Sequence, residues 1–166
     1  MVNMIIKVNS IEEIKKFSGP GVWAVYGKEN DKRICLNVAE TQNIADEISM
    51  DIDLMKDTIE EDKENKYVAR NNFGEIIFKC PSRYYVRKYT WIEISKYKNL
   101  EFECVAFNIH DRSERVEIEK YIAYKTRAKY WRHKHYFTNK DRMNDLIDKY
   151  IEKFEKKGIL KRASKS

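Results

Sequence analysis

Cysteines are scarce in this chain, and their arrangement fits neither a metal site nor a disulfide framework. Cys35, Cys80 and Cys104 are widely spaced, odd in number and include no Cys-x-x-Cys pair. This argues against a zinc knuckle and a disulfide-stapled domain, and it fits reduced thiols in a cytoplasmic protein. No apolar run approaches the roughly 20 residues that a membrane-spanning helix needs. The opening apolar stretch is short and followed by polar residues, which is not expected of a signal peptide.

Internal repeats and interdomain linkers are also absent, so a single domain is expected. With 166 residues, of which 42% are hydrophobic and 13% aromatic, the chain has enough apolar material for a packed core. We predict one domain over residues 1–158, in which residues 67–95 form an insertion. Residues 159–166 are predicted to be a flexible tail.

The formal charge of +6 is unevenly distributed along the chain. Residues 120–166 contain 15 Lys and Arg against 5 Asp and Glu, so the rest of the chain is net acidic. A basic C-terminal third is typical of a protein that meets phosphate groups. The alternative explanation is a solvated, lysine-rich helix.

The stretch Gly21–Ile48 predicts a β-hairpin that runs into a helix. Val22–Tyr26 is β-branched and aromatic, and a polar loop separates it from a second apolar run, Ile34–Ala39. Thr41 is predicted to cap the helix that follows. Apolar residues recur at intervals of three or four up to Ile59, so this helix is expected to bury one face.

Further elements are predicted downstream of this helix. The clearest is the strand Leu100–Ile109, whose two faces are both largely apolar, as in a central strand of a sheet. The fold class predicted from all elements is α/β (α+β), with a small, mainly antiparallel central sheet flanked by helices. The remaining elements are a hairpin around Asn71–Gly74, a short strand at 92–94, a helix that Asp111 or Ser113 caps and that ends near Arg127, and an amphipathic helix from Asn139 to Gly158.

Two segments resemble the GIY-YIG endonuclease superfamily, in which two short strands carry the name-giving tripeptides and a helix follows. The corresponding tripeptides here are Gly21–Trp23 (Gly-Val-Trp) and Asn37–Ala39 (Asn-Val-Ala). The segment Ile118–Trp131 resembles the family's glutamate helix, with Glu119 and Tyr130 at the family's spacing. The two segments occur in the family's order. The resemblance implies a GIY-YIG-like core, here with a β insertion and an extra C-terminal helix.

The resemblance also implies catalytic roles. The family's matching glutamate, here Glu119, binds a divalent metal that polarises the scissile phosphate, so Mg²⁺ or Mn²⁺ is the cofactor expected if the chain is active. Trp23 and Asn37 stand where the family has two tyrosines, and neither side chain can act as a base. Arg115 shares a helix face with Glu119 and is a candidate substitute cation, a surface ion pair being the alternative.

The family's catalytic arginine is replaced in this chain. Counting along the predicted helix puts Glu47 at that position, and a carboxylate there would repel phosphate. A register slip of one residue would put Asp46 or Ile48 there instead, and neither is basic. Trp131 replaces the asparagine that closes the family's glutamate-helix motif. The standard catalytic apparatus is therefore expected to be largely dismantled.

Cations and aromatic residues are interleaved in two places, which favours nucleic-acid binding. Lysine and arginine attract the phosphate backbone, and exposed aromatic rings stack on unpaired bases. Half-buried tyrosines at a sheet edge are the alternative. His133 and His135 are interpreted as part of a basic loop rather than a metal site, because cations surround them. The predicted binding residues are Arg83, Tyr84, Arg87, Lys88, Trp91, Lys125, Arg127, Lys129 and Arg132.

The function expected first is a cytoplasmic nucleic-acid-binding protein descended from this nuclease superfamily, with DNA favoured over RNA as the partner and no membrane association. One alternative is an active Mg²⁺-dependent endonuclease of the restriction or mobile-element type, with Glu119 as the metal ligand. Another is a protein-interaction or regulatory module that binds no nucleic acid. The sequence leaves a homodimer open. The leading hypothesis requires Trp23, Asn37 and Glu119 to converge in one shallow pocket.

Overall fold

The computed structural model describes residues 6–8 and 15–132, together with the helical positions 145, 148, 149 and 152. Within this part of the chain the fold is α+β, as predicted. A four-stranded antiparallel sheet has the strand order β1-β6-β2-β3, and β4 and β5 form a separate two-stranded sheet. The strands are β1 (Ile6–Val8), β2 (Gly21–Glu29), β3 (Lys32–Thr41), β4 (Tyr67–Arg70), β5 (Ile76–Cys80) and β6 (Lys98–Phe107), and the helices are α1 (Ile44–Leu54), α2 (Val86–Ser95) and α3 (Arg112–Thr126).

The β2–β3 hairpin is confirmed and forms the middle of the molecule. Its loop is the pair Asn30 and Asp31, whose φ angles of 51° and 62° are ones that these two residue types tolerate. On its other side β2 pairs with β6, and Gly21 lies opposite Phe107 at one end of this pairing. A Cβ atom on Gly21 would come within 2.1 Å of the Ala106 carbonyl oxygen, so the strands can approach this closely only at glycine.

The cap of α1 differs from the prediction. Asn43, rather than Thr41, is the N-cap, and its side-chain oxygen accepts a hydrogen bond from the Asp46 N–H at 3.2 Å. Thr41 is the last residue of β3, and its hydroxyl accepts from the Asn43 N–H at 3.2 Å. The helix ends at Leu54 instead of continuing to Ile59, which is exposed. The prediction of its apolar face is confirmed by the buried Ile44 and Ile48.

Replacing Asn43 by alanine is expected to destabilise the fold by about 1 kcal/mol, because one of the free N–H groups of the first helical turn loses its acceptor. Urea unfolding followed by circular dichroism measures this change. Gln42→Ala is the matched control, since Gln42 is the exposed neighbour of the cap, and it should shift the midpoint little. Equal midpoints for the two variants would contradict the capping role.

The prediction of a short strand at 92–94 is wrong, because these residues lie in α2. Trp91, Ile92 and Ile94 are all buried there, together with Tyr89. A short, nearly continuous apolar run has no periodicity that separates a buried strand from a buried helix, and the packing of α2 decided it. The hairpin predicted before this segment is confirmed as β4 and β5.

The helix α3 is confirmed, with Asp111 as its cap and Thr126 as its last residue. The chain after it runs along the outer edge of β3, where the Lys129 N–H donates to the Cys35 carbonyl at 3.1 Å and the Tyr130 N–H donates to the Leu36 carbonyl at 2.8 Å. These bonds cover an edge strand that would otherwise offer unpaired backbone groups. They also hold the end of the glutamate-helix segment against the hairpin.

The core takes its largest fully buried side chains from several elements, among them Trp23, Leu36, Ile48, Ile118 and Trp131. The strand β6 is confirmed in a central position, between β1 and β2, although it starts and ends two residues earlier than predicted. In the described part of the chain, no helix is long and apolar enough to cross a membrane.

The C-terminal predictions lie largely beyond the part of the chain that the structure describes. Positions 145, 148, 149 and 152 are helical, in agreement with the predicted helix from Asn139 to Gly158. The rest of that helix, the tail at 159–166, and His133 and His135 lie outside the described residues.

Candidate functional site

The strand β3, helices α1 and α2 and the segment after α3 surround one cavity of about 350 Å³, which we call the Glu119 pocket. Glu119 reaches it from α3, and Asn37 reaches it from β3. The pocket is therefore built by the two segments that carry the family resemblance, together with parts of the predicted insertion. Its lining residues are Asn37, Val38, Ala39, Glu47, Met50, Asp51, Val86, Arg87, Thr90, Trp91, Glu119, Tyr130, Trp131 and Arg132.

The Glu119 carboxyl is held at the wall of this pocket with only 7% of the residue exposed. Its Oε1 atom accepts a hydrogen bond from the Glu40 N–H at 3.2 Å. Burial, together with the negative charges of Glu40 and Glu47, raises the pKa of Glu119 to about 8. The hydrogen bond from the Glu40 amide and the nearby Trp131 indole oppose this shift without cancelling it. Near neutral pH, Glu119 is therefore mostly a protonated acid.

Trp23 does not line the pocket, contrary to the prediction. It has no exposed surface and stacks on Trp91, with 5.6 Å between ring centroids. Its indole N–H donates to the Glu47 Oε1 at 3.2 Å. Trp23 therefore reaches the pocket only through Glu47 and Trp91, and the prediction of Trp23 as a catalytic residue is corrected, since a fully buried indole cannot contact a substrate. Asn37 and Glu119 do converge on the pocket.

Glu47 lines the pocket, so an acidic side chain lies close to Glu119. Burial raises the pKa of Glu47, against the opposing effect of hydrogen bonds from the Thr41 hydroxyl and the Trp23 indole. The nearby positive charge of Arg87 also favours the ionised form of Glu47. With Asp51, the pocket lining therefore carries three carboxyl groups and is unfavourable for phosphate.

Arg115 is buried and does not line the pocket, so its predicted catalytic role is corrected as well. Its Nε donates to the Glu40 Oε2 at 3.0 Å, and its Nη1 donates to the Ile109 and His110 carbonyls, both at 3.0 Å. Arg115 thus ties the start of α3 to the end of β3. Because Glu40 supplies the N–H that binds Glu119, Arg115 is a positioning residue for the pocket wall.

The surroundings of Glu119 supply few further ligands for a divalent metal. Mg²⁺ binds ionised carboxylates, and burial, which raises the pKa of Glu119, adds the cost of deprotonation to any metal binding there. One Glu119 oxygen already accepts the Glu40 N–H, and the nearest acid on the pocket wall, Glu47, holds the Trp23 indole. Among the described residues, no group of three or more His, Cys, Asp or Glu side chains is arranged to hold a metal ion.

Among the predicted nucleic-acid-binding residues, one group lies at the pocket or in the turn that leads into α2. Arg87 and Arg132 line it, and the turn just before α2 carries Arg83 and the 81%-exposed Tyr84. We call Arg83, Arg87 and Arg132 the arginine rim. Arg87 donates to the buried Asp51 at 2.8 Å, Arg132 donates to the Tyr67 hydroxyl at 3.2 Å, and the Arg83 guanidinium lies over the Tyr84 ring at 5.1 Å.

The other predicted binding residues lie elsewhere or are engaged with the protein. Trp91 is 3% exposed and stacked on Trp23, so the prediction that it stacks on a base is corrected. Lys88 pairs with Glu60 at 3.1 Å and its side chain is only 20% exposed, so little of it is accessible to a ligand. The remaining three contact groups away from the pocket: Lys125 lies over the Tyr121 ring, Arg127 pairs with Glu75 at 3.4 Å, and Lys129 pairs with Glu29 at 3.4 Å.

Sequence reasoning missed Asp51 and Met50 as pocket residues. Asp51 is 2% exposed, and burial raises its pKa to about 6 although Arg87 pairs with it. One signal for Asp51 was available, because it follows Glu47 by four residues and so shares a helix face with it. Met50 is half exposed at the pocket edge, which nothing in the sequence indicates.

Comparisons of the chain with protein-family models, with curated proteins and with solved structures find no match. The fold and the site define a small α+β domain with an acidic, tryptophan-lined pocket and an arginine rim at its mouth.

Proposed function

We propose that this chain is a nucleic-acid-binding domain that descends from the GIY-YIG endonuclease superfamily and has lost phosphodiester hydrolysis, with DNA rather than RNA as its partner. The observation that carries the proposal is the arginine rim. Arg83 and Arg132 are exposed, Tyr84 beside Arg83 is 81% exposed, and no carboxylate of the described residues forms an ion pair with either arginine. Exposed guanidinium groups next to an exposed aromatic ring are the usual means of holding a nucleic-acid strand.

The order of the elements supports descent from this superfamily. A hairpin (β2 and β3) is followed by a helix (α1), then by a third strand (β6) that pairs with the hairpin, and then by the helix that carries Glu119. Asn37 and Glu119, which the resemblance assigns to one site, both line the Glu119 pocket. The elements β4, β5 and α2 stand between α1 and β6, as expected of an insertion that carries partner contacts.

The interior of the pocket supports binding without cleavage. Hydrolysis of a phosphodiester needs groups that stabilise negative charge on the phosphate, and here Glu47 and Glu119 occupy the interior. The indole of Trp23 is buried and cannot activate water. A cytoplasmic location is part of the proposal, and it is supported by Cys35, Cys80 and Cys104, which are free thiols.

Fluorescence anisotropy with labelled single- and double-stranded DNA and RNA, over a range of salt concentrations, tests the proposal. We expect affinity that falls steeply with salt. Replacing Arg83 and Arg132 together by alanine should lower the slope of log affinity against log salt by about two units, one for each phosphate contact removed. Arg87 is left intact because it pairs with the buried Asp51, and its loss would leave that carboxyl unpaired.

Lys125→Ala/Arg127→Ala is the matched control, because it removes the same charge from exposed positions away from the pocket. This variant should bind nearly as the wild type does. Equal losses of affinity in the two double variants would contradict the binding role of the arginine rim. An absence of binding by the wild type at low salt would favour the protein-interaction alternative. Incubation of each substrate with the wild-type protein and Mg²⁺ or Mn²⁺ should leave it intact. Cleavage by the wild type that is absent in Glu119→Ala would contradict the proposal that hydrolysis has been lost.

A further inference from the structure

The charges of the Glu119 pocket are arranged with opposite signs inside and at the mouth. Glu47 and Glu119 form part of the inner wall, whereas the guanidinium groups of Arg87 and Arg132 belong to the rim. Asp51 is also part of the lining, but its charge is paired with Arg87 at 2.8 Å. A strand held by the rim would therefore keep its phosphates outside, because the Glu47 carboxylate inside repels them and the protonated Glu119 offers no positive charge to hold them. The part of a nucleotide that can enter is the uncharged base.

The size and the lining of the pocket agree with this orientation. A volume of about 350 Å³ lies at the low end of the range for small-molecule sites. The half-exposed thioether of Met50, with the partly exposed Ala39 and Val86, supplies apolar surface for a planar ring. The Asn37 amide adds a polar group on the β3 side.

The polar groups on the wall also select among bases. Carboxyl oxygens are acceptors and therefore complement exocyclic amino groups, which cytosine and adenine carry and thymine lacks. Glu47 accepts the Trp23 N–H with Oε1, and a carboxylate has further acceptor positions. A base inside a duplex cannot reach this wall, so the base must be unstacked.

We propose that the Glu119 pocket admits one unstacked, amino-bearing nucleobase from a strand whose phosphates contact Arg87 and Arg132. This inference rests on the proposed nucleic-acid binding and specifies its substrate: single-stranded or locally opened DNA, gripped by the backbone at the rim and by one base in the pocket. Glu47 and Glu119 hydrogen bond to the amino edge of the base, and Met50 packs beside its ring.

The test compares three labelled probes with identical phosphates at pH 7.5: oligodeoxycytidine, oligothymidine and an abasic strand of the same length. Wild-type protein should bind oligodeoxycytidine about tenfold more tightly than the abasic strand, which is the effect of holding a single base. It should also bind oligodeoxycytidine more tightly than oligothymidine. The slope of affinity against salt should be the same for all three, because it reports only the phosphate contacts.

Two variants assign these differences to the pocket. Ala39→Leu narrows the cavity from β3 and should reduce the tenfold preference over the abasic strand, with the salt slope unchanged. Glu47→Gln keeps an oxygen for the Trp23 N–H but turns an amide N–H₂ donor toward the base, so the preference for cytosine over thymine should shrink or reverse. A thermal melt of each variant verifies that it is folded.

The outcomes separate this inference from the proposed function. Equal, salt-dependent affinity for all three probes would overturn the base pocket and leave the nucleic-acid binding intact. A preference for cytosine that both variants retain would also overturn it, because the base would then be read elsewhere. If no probe binds at low salt, the proposed function fails and the inference fails with it.

Discussion

Replacing Arg115 by methionine is expected to destabilise the fold by about 3–5 kcal/mol, the usual cost of removing one partner of a buried ion pair. The Arg115 side chain is 4% exposed, and it bonds the Glu40 carboxylate and two backbone carbonyls. All three acceptors lose their donor in the variant, and methionine fills a similar volume without replacing any bond. Urea unfolding measures the loss.

Arg112 provides a matched control for this prediction. Its Nε lies 3.6 Å from the other oxygen of the same Glu40, but its side chain is 78% exposed. Arg112→Met should change stability by about 0.5 kcal/mol or less, because exposed ion pairs contribute little. Comparable losses in the two variants would contradict the positioning role of Arg115. Arg115→Lys should recover only part of the stability, since an ammonium cannot reproduce the planar fork of three bonds.

Replacing Glu119 by glutamine is expected to change how stability depends on pH. The pKa of Glu119 is raised to about 8 in the folded protein, and in the unfolded chain it returns to near 4.5. Between these values the folded state holds a proton that the unfolded state has released. The free energy of unfolding therefore falls as the pH rises through this window, at a rate that approaches about 1.4 kcal/mol per pH unit for this group.

Glutamine keeps an acceptor for the Glu40 N–H and cannot ionise, so the variant should lack this contribution to the slope. We expect similar stability for the two proteins at pH 5 and an advantage of about 2–4 kcal/mol for Glu119→Gln at pH 8.5. The raised pKa of Asp51, about 6, contributes to both proteins and is removed by taking the difference. Urea unfolding at several pH values gives the comparison.

The matched control for this titration is Glu64→Gln, which alters a side chain that is 78% exposed. Its stability curve should run parallel to that of the wild type across the whole pH range. Parallel curves for Glu119→Gln as well would show that Glu119 titrates normally, and the protonated acid in the pocket would then be ruled out.

Arg115 and Glu119 act on one wall of the pocket. Arg115 holds Glu40, the Glu40 N–H binds Glu119, and Glu119 lines the cavity. Loss of Arg115 is expected to destabilise the fold, whereas replacing the ionisable Glu119 carboxyl by an amide is expected to stabilise it at high pH. Because ionised Glu119 destabilises the fold at high pH, burial and not ion pairing determines its protonation state.

Local patterns in the sequence were sufficient for the hairpins β2–β3 and β4–β5, the strand β6 and the helix α3. Each of these elements has a signal within its own residues: β-branched runs around a polar turn, a strand that is apolar on both faces, and the Asp111 cap. The resemblance to the GIY-YIG superfamily, and not a local pattern, assigned Asn37 and Glu119 to one site, and both line the pocket. Descent from the GIY-YIG superfamily and nucleic-acid binding stay predictions.

Only the tertiary structure decided what is buried. Trp91 and Arg115 were predicted to face a ligand, and both lie inside the protein, at 3% exposure each. The charges that surround Glu119 and raise its pKa come from β3 and α1, which are distant in the chain. A sequence pattern reports which residues share a face of one element, but exposure and pKa depend on what other elements pack against that face. That packing is a property of the whole fold, and residue types alone do not specify it.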